Sequence, residues 1–121
     1  MNMIDRQSVC DALRELSSIE AQKRLWLSTG ANNSEVSSFI EAQEQLYTDT
    51  GLTHALDGGS TGFSKEVNNL LLKLRTLLKR VDNRQGPIHT INDPSMDAVR
   101  EIACKILNML NGETSAGSTA D

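Results

Sequence analysis

Apolar residues recur at steps of three and four between Lys65 and Val81. Val67, Leu70, Leu71, Leu74, Leu77, Leu78 and Val81 share one face, which predicts an amphipathic helix. Ser64 is placed to cap its start, and the Asn83-to-Pro87 stretch holds the breakers that end it. Leu72 departs from the pattern and points to the far side, among Lys65 and Lys79. A second helix is predicted from Pro94 to Asn111. Met96, Val99, Ala103, Ile106, Leu107 and Leu110 form its stripe, Asp93 caps it, Pro94 takes the first-turn position and Gly112 stops it.

The first half of the chain carries shorter periods. Val9, Ala12, Leu13 and Leu16 predict a helix over Asp5–Leu16. Ser17-Ser18-Ile19-Glu20 then reads as a capping box that opens a helix over Ile19–Leu27, although residues 6–27 also suit one bent helix. A second box, Ser38-Phe39-Ile40-Glu41, opens a helix to Thr48 with Phe39, Ala42 and Leu46 inward and Ile40 and Tyr47 widening the stripe. Leu52 to Leu56 allow one more turn before the loop from Asp57 to Gly62. No repeat and no convincing strand pair is present. The expected fold is all-α: a small bundle of four to five amphipathic helices in one domain over residues 1–112, followed by a flexible polar tail over 113–121.

Charge sharpens this picture. The 121 residues carry 12 basic and 16 acidic side chains, a net charge of -4, which argues against general nucleic-acid binding. From Ser28 to Gly62 there is no Lys or Arg, while Glu35, Glu41, Glu44, Asp49 and Asp57 are all negative. From Lys65 to Arg84 the balance reverses. The acidic stretch either neutralises the basic helix within the fold or forms a surface that steers a basic partner. No apolar run is long enough to span a membrane, and the opening residues lack a secretory pattern, so a cytoplasmic location with Cys10 and Cys104 reduced is expected.

Signs of chemistry are weak. Gly58, Gly59 and Gly62 are not followed by the Lys-Ser/Thr of a phosphate loop. The spacings His54/Asp57 and His89/Asp93 permit hydrogen-bonded pairs, yet no nucleophile motif accompanies them. Cys10, His54, His89 and Cys104 lack the close ligand pairs of structural zinc. Neither catalysis, nor a metal, nor another cofactor is expected.

Within residues 25–52, Leu25-Trp26-Leu27-Ser28, Glu35 to Ala42 and Leu46 to Leu52 resemble the small bacterial immunity proteins of contact-dependent inhibition toxin systems. Those proteins have many folds, so the resemblance implies a role and a cytoplasmic location rather than an architecture. It implies one protein partner, a basic toxin domain. The residues then expected at the partner are Glu35, Glu41, Glu44, Asp49 and Asp57, with Trp26 and Tyr47 as aromatic anchors if their edges reach solvent, and as core residues otherwise. The competing expectations place Leu72, Arg75 and Lys79 on a secondary basic face that binds nucleic acid, or that a second copy of the chain covers.

Overall fold

A computed structural model describes residues 6–27, 37–58 and 61–119, with side chains up to 111. Among the described residues seven α-helices follow one another: α1 (Arg6–Ser17), α2 (Ile19–Trp26), α3 (Phe39–Glu44), α4 (Leu52–Gly58), α5 (Lys65–Leu78), α6 (Pro87–Ile91) and α7 (Pro94–Thr119). A π-helical turn, Gln45–Asp49, continues α3. No strand occurs among the described residues, and no helix there is long and apolar enough to cross a membrane. The fold is all-α, as expected, with seven helices among the described residues where four to five were expected.

The local starts follow the cap chemistry. The side chains of Ser18, Ser38 and Ser64 accept the amides of Ala21, Glu41 and Val67 at 3.1, 3.0 and 3.2 Å. Asp93 Oδ1 accepts the Ser95 amide at 2.7 Å at the head of α7. Each such cap contributes about 1 kcal/mol. Ser18, not Ser17, is the cap of α2, and its extended backbone (φ -120, ψ 115) divides residues 6–27 into two helices. Ser17 instead donates its hydroxyl to the Arg14 carbonyl at 3.1 Å.

Helix α7 is the spine, packed between α1 and α5, while α3 and its π-turn lie against α1 and α2 meets α6. Leu13 and Leu16 of α1, Leu71 and Leu74 of α5, and Met96, Val99 and Ile106 of α7 are fully buried at the junction. Full burial of each large aliphatic side chain is worth about 1.5–3 kcal/mol. Three boundaries differ from expectation. Helix α5 ends at Leu78 in tighter turns, Arg80 N to Leu77 O and Val81 N to Leu78 O, so Val81 is still delivered to the core. Helix α6 occupies part of the stretch expected to be only a breaker: Gly86 takes φ +96 at its cap and Pro87 its first position. Helix α7 does not stop at Gly112 but runs on to Thr119. A glycine costs an established helix only about 1 kcal/mol relative to alanine, which is a tax rather than a terminator.

Gln22 locks α1, α2 and α7 together. Its side chain is fully buried, and its Nε2 donates to the carbonyls of Glu15 and Leu16 at 3.1 and 2.8 Å. Both carbonyls lie in the last turn of α1, where no helical amide follows to pair them. Gln22 Oε1 accepts from Arg100 Nε at 2.9 Å, and Arg100 donates onward to the Ile91 carbonyl and to Asp97.

Candidate protein-docking surface

The aromatic residues are not surface anchors. Trp26 is 5% exposed, packs edge-on against Phe39 with ring centroids 5.8 Å apart, and donates Nε1–H to Glu15 Oε2 at 2.7 Å. Tyr47 is 6% exposed and donates its hydroxyl to the Leu71 carbonyl at 2.8 Å. Burial pushes its phenol well above the usual tyrosine range, only partly opposed by the nearby charge of Arg75. Both are buried and each polar tip finds an internal partner; what Trp26 still offers is a ring edge in the wall of the groove beside Ile40.

The acidic residues divide differently. Glu35 lies outside the described residues. Asp57 is held by Arg75, 3.6 Å away, which realises internal neutralisation at that one position. Glu41, Glu44 and Asp49 are exposed, and none has a side-chain hydrogen bond or ion pair among the described residues. On α3 the buried residues are Phe39 and Ala42, which turns Ile40, Glu41 and Glu44 to solvent. Ile40 and Glu44 stand one helical turn apart, so the apolar and the charged side chain are direct neighbours.

Ile40 was expected to widen the buried stripe; instead it is 46% exposed. Its flank opens onto an apolar groove of about 260 Å³, lined by Trp26, Phe39, Ile40, Asn83, Pro87 and Thr90. The groove exists because α6 and the loop before it stand opposite α3. Its sequence signal was the Gly86-Pro87 start followed by Ile88 and Ile91, which also reads as a breaker.

A larger polar cleft of about 620 Å³ lies on the other side of α3, where Asp11, Arg14, Glu15, Arg24, Ser37 and Glu41 converge. Its charges are largely spent on one another. Asp11 binds Arg14 at 2.8 Å and Gln7 at 2.9 Å, Glu15 accepts from both Trp26 and Ser37 at 2.7 Å, and Arg24 is also engaged. Glu41, also at this cleft, has no side-chain partner among the described residues.

On α5, Leu72 is 37% exposed between exposed Lys65 and Lys79, as the sequence indicates. Arg75 does not join that face freely, since it is half-buried beside Asp57. The histidine pairings also change. His89 Nε2 lies 3.7 Å from Asp82 Oδ2, while Asp93 is used as a cap and Asp57 faces Arg75. No group of three or more His, Cys, Asp or Glu able to hold a metal occurs among the described residues. Comparison with known protein families, curated proteins and solved structures finds no match.

Proposed function

We propose that this chain is a non-enzymatic protein-binding module whose α3 face recognises one basic protein partner. Its most specific form is an immunity role, neutralisation of a basic toxin domain in the cytoplasm, as the resemblance over residues 25–52 implies. The observation that carries the reading is the state of Glu41, Glu44 and Asp49 along α3 and its π-turn: exposed, and without an ion pair among the described residues. Charges left unpaired on a surface raise the encounter rate with an opposite surface and suppress wrong partners. Ile40 and the groove beside it supply apolar contact next to those charges. The test is affinity capture of the tagged chain from its source cell with identification of stoichiometric partners. A single basic protein at one-to-one supports the reading; recovery of nucleic acid alone overturns it.

A further inference from the structure

The chain carries the complement of its own acidic face. Along α5 and its C-cap, Lys65, Leu72 and Lys79 follow at steps of seven residues, two helical turns each, and therefore line up along the exposed side. Lys73 lies beside Leu72. None of the three lysines makes an ion pair or side-chain hydrogen bond among the described residues. The ridge is thus an exposed leucine flanked by unspent positive charge. Helix α3 presents the reverse arrangement: a groove beside exposed Ile40, with unspent Glu44 one helical turn from Ile40 and unspent Glu41 on the opposite flank of the same helix.

We infer that α5 of one copy docks on α3 of a second copy, with Leu72 entering the groove beside Ile40 and the lysines meeting Glu44, while Glu41 adds to the negative field of the same helix. The groove, at about 260 Å³, has room for an aliphatic side chain such as that of Leu72. The match is of both kinds at once, apolar to apolar at the centre and positive to negative at the rim, which is the anatomy of a specific contact. The two faces differ, so the contact is heterologous and either closes into a ring or grows end to end. One helix face in one groove belongs to the small, transient class of interfaces, and its exposed ion pairs make it sensitive to salt. Self-association then competes with the basic partner for the same α3 face.

Sedimentation velocity on the purified full chain tests this. Wild type associates with rising concentration in low salt and dissociates when the salt is raised. Leu72→Glu abolishes the association. The charge-reversed chains Glu41→Lys/Glu44→Lys and Lys73→Glu/Lys79→Glu are each monomeric alone, because both of their faces now carry one sign. Mixed at one-to-one they associate again, since every contact between unlike chains is complementary. Circular dichroism confirms that each variant is folded. A wild type that stays monomeric at every concentration overturns the inference. So does association that survives in Leu72→Glu or in either reversed chain alone, or a mixture that fails to restore it.

Discussion

Replacing Gln22 by alanine is expected to be among the costliest polar substitutions in this chain. Three hydrogen bonds vanish together: two to the final-turn carbonyls of α1 at 3.1 and 2.8 Å, and one from Arg100 at 2.9 Å. The Leu16 carbonyl is left in a fully buried site, where an unsatisfied group costs about 1–3 kcal/mol. The Glu15 carbonyl and the Arg100 guanidinium sit nearer the surface and recover part of their loss from water. Together with the vacated side-chain volume, the expected loss is about 3–4 kcal/mol, a large part of the roughly 5–15 kcal/mol that holds a domain together. In thermal unfolding this corresponds to about 4 °C per kcal/mol, or a melting temperature lowered by about 12–16 °C. Gln22→Met keeps most of the volume and isolates the polar part, so it should lose less than the alanine variant. The double change Gln22→Met/Arg100→Met should cost less than the sum of its single changes, since neither partner is then left facing an absent one. A loss below about 1 kcal/mol for Gln22→Ala, or strict additivity in the double variant, would refute the idea that this network couples α1, α2 and α7.

Tyr47→Phe should lower stability by about 1 kcal/mol through loss of the hydrogen bond to Leu71 and leave partner association unchanged; a binding defect in a folded variant would return Tyr47 to the docking surface. Amides donated by Ser95 and Asp82 hold the Asp93 carboxyl below its usual value, so its contribution is complete above pH about 4 and disappears as pH falls through the lower folded value. Denaturant melts of Asp93→Ala should accordingly show a penalty of about 1–2 kcal/mol at pH 7 that shrinks toward pH 2.5, and a penalty independent of pH would contradict the capping role. Glu44→Lys should change unfolding free energy by no more than about 0.5 kcal/mol, and Glu41→Lys by up to about 1 kcal/mol because Glu41 sits in the first turn of α3, where a negative charge suits the helix N-terminus. A larger loss in the same melts would mean that these carboxylates hold the fold together.

Where an element was long or carried its own cap, the chain stated it plainly. The stripes of α5 and α7 and the caps at Ser38, Ser64 and Asp93 involve residues within one or two turns of each other, so local chemistry decides them. Helix α6 was hidden because Gly86-Pro87 ends one helix and starts another with the same two residues, and five residues show no period. The π-turn was hidden for another reason. Leu46 and Tyr47 are consecutive and both inward, and the Tyr47 hydroxyl meets the Leu71 carbonyl, a contact made only in the assembled bundle. Ile40 fits a buried stripe equally well until it is known that its flank faces a groove. The acidic stretch was visible as composition, yet which carboxylates stay unpaired depends on tertiary neighbours: Asp57 finds Arg75, and Glu41 and Glu44 find no cation among the described residues.

The most direct test of the α3 docking face is the association rate of the captured partner with wild type and with Glu41→Lys/Glu44→Lys, measured by stopped flow at low and high salt. The account predicts at least a tenfold slower association for the reversed chain at low salt, a difference that narrows as salt rises, and a smaller change in dissociation. Equal association rates for a folded variant, or a wild-type rate indifferent to salt, would contradict it.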